Sequence, residues 1–148
     1  MRFILVDRIL SLTPGESVVA ARTVSPDEDY FQDHFPGFPV VPGVLLTEMM
    51  GQAAAKCLDA QRLPRGKAML ARILSATFRR WVRPGDEAIL HASIVANTDS
   101  YATAECRCEV SGQDVAQAKL FFSFLARSDF APEFRDEVLE AFLAQQSG

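Results

Sequence analysis

The chain has 148 residues, 49% of them hydrophobic and 23% charged, with a formal net charge of -4. That length suits one domain able to bury its own core, and the charge balance excludes both a disordered chain and a general nucleic-acid surface. Three cysteines without framework spacing point to free thiols in a reducing compartment, the cytoplasm, and against a disulfide scaffold.

The start Met1-Arg2-Phe3-Ile4-Leu5-Val6 is apolar but stops at Asp7-Arg8. It is too short for a secretory leader and reads as a strand, and no later run approaches the roughly 18 to 20 apolar residues that cross a bilayer. Phe3 to Leu12 is β-compatible, Pro14-Gly15 signals a turn, and Ser17 to Val24 alternates, which together predict a hairpin. Asp27 to Asp33 is polar and acidic. From Phe35 to Gly43 come three prolines and two glycines; each proline fixes its own φ and pushes the preceding residue out of the helical region, so a stiff loop is expected.

Val44 to Gln61 has a strong helix-forming composition, apolar over most of its circumference, and should be wrapped by other structure. Leu63-Pro64-Arg65-Gly66 is its stop signal. Lys67 to Val82, Glu87 to Ala96, Ser100 to Val110 and Val115 to Ala126 read as four strands, with turns at Pro84-Gly85, Asn97-Thr98-Asp99 and Ser111-Gly112-Gln113-Asp114. The tail from Phe130 to Gln146 carries Phe134, Val138, Leu139, Phe142 and Leu143 at the spacing of an amphipathic helix. A hairpin, one long apolar helix and four strands predict an α+β domain in which an antiparallel sheet curls around the helix.

Two histidines are present. His91 lies in a strand pattern and reads as an edge or partly buried residue without a catalytic part. His34 stands at the entry to the stiff loop, nine residues before the helix start at Gly43-Val44, where backbone N–H groups and the helix dipole present positive charge; a structural and a catalytic role both fit that context. Glu48 falls one turn into the apolar helix, where an unpaired carboxylate is costly; alternatively Glu48, Gln52, Lys56 and Asp59 form one ordinary polar stripe at helical spacing. Cys106 and Cys108 share a strand face with no second ligand pair, so they read as packing residues. From Ala60 to Gly85 there are seven basic residues and no acidic one, either a solvated face or a docking patch for an acidic partner.

The stretch His34-Phe35-Pro36-Gly37-Phe38-Pro39-Val40-Val41-Pro42-Gly43-Val44-Leu45-Leu46-Thr47-Glu48-Met49-Met50-Gly51-Gln52 closely resembles the signature of the bacterial 3-hydroxyacyl-(acyl carrier protein) dehydratases. The likeness extends to Leu5-Val6-Asp7-Arg8-Ile9, Pro14-Gly15-Glu16, Phe78-Arg79-Arg80, Val82 and Pro84-Gly85-Asp86, and fades after about Leu125. It implies a hotdog fold and a homodimer with acyl tunnels along the subunit interface; residues 1–148 are then a single such domain, to which the helix expected at 130–146 is extra. It further implies that His34 and Glu48, supplied by opposite subunits, are the base and acid of dehydration. On the same grounds Gly43 and Val44 bind the thioester oxygen through backbone N–H, and Gln52 supports Glu48. The partner implied is acyl carrier protein on its phosphopantetheine arm, docked on Arg79, Arg80 and Arg83, with no metal or organic cofactor.

Three departures stand out. Asp33 replaces the glycine usual before the histidine, the chain opens without the usual N-terminal extension, and the tail after Asp129 looks additional. Glu48, where an isomerising sister branch has aspartate, favours plain dehydration. A hotdog thioesterase and a noncatalytic acyl-binding subunit are the competing readings.

Overall fold

The computed structural model describes residues 1–62 and 66–146. β1 (Arg8–Thr13) and β2 (Ser17–Thr23) form the expected hairpin. Its turn approaches the long helix α1 (Gly43–Arg62) so closely that a Cβ on Gly15, whose φ is +75°, would lie 2.6 Å from the Gln61 side chain. The Gly15 N–H donates to the Cys57 carbonyl at 3.0 Å, so only glycine fits this seam.

β3 (Gly66–Phe78), β4 (Glu87–Asn97), β5 (Tyr101–Val110) and β6 (Gln113–Ala126) complete a six-stranded sheet in the order β1-β2-β4-β5-β6-β3. Every pairing is antiparallel. Register shifts in the β3–β6 ladder, between Leu70 and Arg72 and between Ile73 and Ser75, bend that edge, as bulges do. The sheet curls round α1, which packs against β2 through β6. Leu46, Met49, Met50, Ala53, Ala54, Cys57 and Leu58 form the helix side of the core, and its alanines let the sheet approach closely. None of the helices among the described residues is long and apolar enough to cross a membrane.

Four expectations change. The last strand begins at Gln113 and not at Val115, inside the expected turn Ser111-Gly112-Gln113-Asp114. The first strand begins at Arg8, not Phe3. Leu5 and Val6 are buried as an apolar run should be, but the Gln52 side chain binds the backbone of Phe3 and Leu5 and takes the place of a strand partner there. The tail is helical only over α2 (Glu137–Gln146): Pro132 interrupts the earlier part, and Asp136 Oδ1 accepts the Leu139 N–H at 3.0 Å, which makes Asp136 the N-cap. The third strand ends at Phe78 and not at Val82. Of the expected helix stop, residues 63–65 lie outside the described part; α1 ends at Arg62 and β3 begins at Gly66.

The polar stripe on α1 exists, but it is enclosed. Asp59 is 1% exposed and Lys56 8%. Asp59 accepts the Ala68 N–H and pairs with Lys67, both at 2.8 Å, pinning the end of α1 to the start of β3. Burial pushes the Asp59 carboxyl above its usual range, with Lys67 opposing the shift.

Candidate active site

His34 follows a short 3₁₀ turn, Asp29–Gln32, and is half-buried. Its N–H donates to the Tyr30 carbonyl at 3.0 Å, its carbonyl accepts the Val40 N–H at 3.0 Å, and Phe35 and Phe38 exchange two backbone bonds of 2.9 Å across Pro36-Gly37. The stiff loop is therefore a small closed hairpin with His34 at its mouth. The ring Nδ1 lies 3.0 Å from the Val40 carbonyl. A carbonyl only accepts, so Nδ1 carries the hydrogen and a neutral His34 bears its lone pair on Nε2. Asp33, the residue before it, has φ -100° in the right-handed region, so this position makes no call on the freedom of a glycine.

The loop leads directly into α1. The Val41 N–H donates to the Val82 carbonyl at 2.8 Å, and the Leu45 and Leu46 N–H groups both turn to the Pro42 carbonyl. The N–H groups of Gly43 and Val44, in the first turn, have no acceptor within the helix. Val44 is 75% exposed. A Cβ on Gly43 would come within 3.0 to 3.2 Å of the Phe78 ring at the end of β3; the absent side chain lets that ring close over the helix start.

Glu48 is half-buried one turn further along. Its Oε2 accepts from Gln52 Nε2 at 3.0 Å. The same Gln52 nitrogen donates to the Phe3 carbonyl at 3.0 Å, while Gln52 Oε1 accepts the Leu5 N–H at 2.9 Å. One amide thus ties the catalytic candidate to the N-terminal segment, an anchoring that helical spacing alone does not disclose. Among the described residues no hydrogen bond or ion pair joins His34 to Glu48 within the chain.

Arg79, Arg80 and Arg83 are exposed. The Arg83 guanidinium lies 4.8 Å from the centre of the Phe38 ring, and Phe38 meets Trp81 edge-on, so the basic segment abuts the His34 loop. Other members of the basic stretch are engaged: Lys67 with Asp59, and Arg62 with Asn97 and the Phe124 ring. Arg65 lies outside the described residues. His91 sits on β4, an interior strand and not an edge, half-buried against Glu109. Cys106 and Cys108 are buried, and burial pushes both thiols up to about 12. Among the described residues no cluster of His, Cys, Asp and Glu is arranged to hold a metal.

A FabA-like domain profile matches residues 1–119. The chain is 41% identical over 121 residues to the 3-hydroxyacyl-(acyl carrier protein) dehydratase FabZ of Deinococcus radiodurans, covering 82% of this chain and 83% of that protein. With FabZ of Lactobacillus helveticus it shares 39% over 120 residues, 80% and 81% of the two chains. Among solved structures, smu.793 from Streptococcus mutans bound to acetyl CoA superposes with a TM-score of 0.65 at 13% identity, over 85% of this chain and 94% of that one. The dehydratase heterocomplex ApeI:P from Xenorhabdus doucetiae gives 0.64 at 17%, over 86% of each chain. At such identities these structures speak to the fold alone, which is the hotdog fold.

Proposed function

This chain belongs to the FabA-like domain family, and on that premise we propose that it dehydrates 3-hydroxyacyl groups on acyl carrier protein to trans-2-enoyl groups, as a step of fatty acid or related acyl-chain synthesis. The observation that carries the reading is the pair of held side chains: a histidine whose Nδ1 is committed to the Val40 carbonyl, and a carboxyl on the first turns of α1 engaged by Gln52 through one oxygen only.

His34 Nε2 takes the C2 proton. The C2–H electron pair becomes the new C2–C3 double bond, the C3–O bond breaks, and Glu48 gives its proton to the departing hydroxyl, which leaves as water. Gln52 occupies Oε2, so Oε1 carries that proton. Each proton transfer contributes a factor of about 10² to 10⁴. Charge gathering on the thioester oxygen is met by the N–H groups of Gly43 and Val44 at the positive end of α1. The chemistry calls for no metal or organic cofactor.

The acid and base come from opposite subunits of a homodimer. In support, β3 is an edge strand of thirteen residues whose Met69, Ile73, Leu74 and Phe78 are 42 to 55% exposed, beside Trp81 at 69%. A long apolar edge is a liability unless another chain covers it, and a second copy brings its own β3, Phe78 and Val44 to the same seam. The whole chain, tail included, acts as one domain. Arg79, Arg80 and Arg83 form the docking face for the acidic carrier, next to the loop that holds the base, and the three free thiols suit the cytoplasm.

The test is hydration of a trans-2-enoyl thioester, followed by loss of the conjugated chromophore, with His34→Ala and Glu48→Gln alongside. Loss with the native protein and not with the variants is expected. Release of free thiol would instead make the protein a thioesterase, and binding without turnover would make it an acyl-binding subunit. Changing Arg79, Arg80 and Arg83 to Glu should slow the carrier-bound substrate far more than a short soluble thioester; equal losses would remove the docking assignment.

A further inference from the structure

Arg22, on β2, is nearly enclosed: its side chain is 13% exposed, and its guanidinium stands between two segments that lead to the two catalytic candidates. Nη1 donates to Asp7 Oδ1 at 2.9 Å and to the Ile4 carbonyl at 3.3 Å, and Nη2 donates to Glu28 Oε1 at 3.0 Å. Glu28 is itself 16% exposed. The Arg22 Nε is buried with no hydrogen-bond partner among the described residues. A desolvated guanidinium with one N–H unmet is a poor way to gain stability. A rigid fork that grips two carboxylates at once does something else: it fixes one relative to the other.

From Glu28 the connection runs to His34. The Glu28 carbonyl accepts the Phe31 N–H at 3.2 Å and so opens the 3₁₀ turn, and the Tyr30 carbonyl accepts the N–H groups of Asp33 and His34 at 3.2 and 3.0 Å. Burial, and after it the Glu28 carboxylate, push the Tyr30 phenol above its usual range, so that side chain too lies near the ion pair. From Asp7 and Ile4 the connection runs to Glu48. Both belong to the N-terminal segment whose Phe3 and Leu5 backbone groups hold the Gln52 amide, and Gln52 donates to the Glu48 carboxyl at 3.0 Å.

We propose that Arg22 is a positioning residue for the dehydration, holding the His34 loop through Glu28 and the Glu48 carboxyl through the N-terminal segment and Gln52. The assignment rests on the dehydratase reading above. With acid and base supplied by opposite subunits, the two connections of one Arg22 run to different active sites, and each site depends on an Arg22 from both chains. Arg22 itself touches no reacting atom, so its loss acts on kcat and leaves KM nearly as it was.

Arg22→Gln removes the charge and leaves Asp7 and Glu28 unpaired beside each other. In the full chain, at a temperature where thermal unfolding shows the variant folded, kcat for hydration of a crotonyl thioester should fall about tenfold or more, as a displaced catalytic group costs, with KM nearly unchanged. Arg22→Lys, a point charge without the fork, should stand between the two. The connections separate in a double-variant cycle. In a Gln52→Ala background Asp7→Asn should cost little further kcat, because it acts through the same amide, whereas Glu28→Gln should cost as much as it does alone. These two milder variants keep the proposal open to refutation if Arg22→Gln does not fold. Native kcat in folded Arg22→Gln or in both carboxylate variants, a loss confined to KM, or like behaviour of Asp7→Asn and Glu28→Gln in the cycle would overturn it. A native protein inert on crotonyl and trans-2-dodecenoyl thioesters would overturn the dehydratase reading instead, and this assignment with it.

Discussion

Replacing Gln52 with alanine probes stability and catalysis through one side chain. The amide makes three hydrogen bonds, two neutral ones to the backbone of Phe3 and Leu5 and one to the Glu48 carboxyl. With Glu48 protonated, as its role of acid requires, all three are neutral bonds and contribute about 1 kcal/mol each. Gln52 is half-buried, so water recovers part of this, and alanine's higher helix propensity returns a few tenths. A net loss of about 2 kcal/mol follows, which for a chain of this size lowers Tm by about 4 to 8 °C. In the enoyl hydration assay kcat should fall about tenfold, because the acid is free to swing from its productive rotamer. Gln52→Glu separates the two effects: it keeps an acceptor for the Leu5 N–H but sets a carboxylate against Glu48, and its rate should recover as the pH is lowered and one of the two carboxyls takes up a proton. If Gln52→Ala lost stability while keeping its full kcat, Gln52 would be a strap for the N-terminal segment and nothing more. If neither changed, the hydrogen-bond assignment itself would be wrong.

Gly43→Ala places a methyl 3.0 to 3.2 Å from the Phe78 ring. That ring is 45% exposed and able to give way, so Tm should move by only a few degrees while kcat/KM falls about tenfold or more, as a displaced Phe78 and a methyl group crowd the thioester position; an unaltered kcat/KM would remove the helix start from the site. The thiols of Cys57, Cys106 and Cys108, pushed up by burial to about 11, 12 and 12, should resist a disulfide reagent near neutral pH until the protein unfolds. Because these values lie above those of the unfolded chain, the stability gained by keeping the thiols protonated is complete below the ordinary thiol range. It is lost as pH rises through the folded values, by up to about 1.4 kcal/mol per pH unit for each thiol. Rapid labelling of the folded protein would contradict this.

What the sequence disclosed followed from periodicity and from residues with a single conformational use. The helix over Val44 to Gln61 was legible because nothing but burial explains so many alanines, leucines and methionines together, and the four later strands were delimited by their turns. The N-terminal boundary was not. Leu5 and Val6 are as apolar and as buried as strand residues, but the backbone partners in this segment are distant side chains, the Gln52 amide on Phe3 and Leu5 and Arg22 on Ile4. In the tail, periodicity ran through Pro132 and missed the cap at Asp136, although both residues carried a local signal.

The candidate site divides in the same way. The sequence shows which residue types stand in the stiff loop and on the helix, but not how they are held, because the holding groups are distant or are backbone. The His34 ring is oriented by a carbonyl six residues on, and Glu48 is engaged by a side chain that is itself tied to the N-terminal segment. Lys56 and Asp59 read in the sequence as part of one ordinary polar stripe; each is buried against a partner that fixes the helix, Asp136 in the tail and Lys67 on β3. The helix that carries Glu48 is therefore fastened along one face to the N-terminal segment, to the C-terminal tail and to the edge strand. A change in the N-terminal segment thus reaches the Glu48 carboxyl through the Gln52 amide, whereas a change in the tail reaches α1 at Lys56, about two turns beyond Glu48.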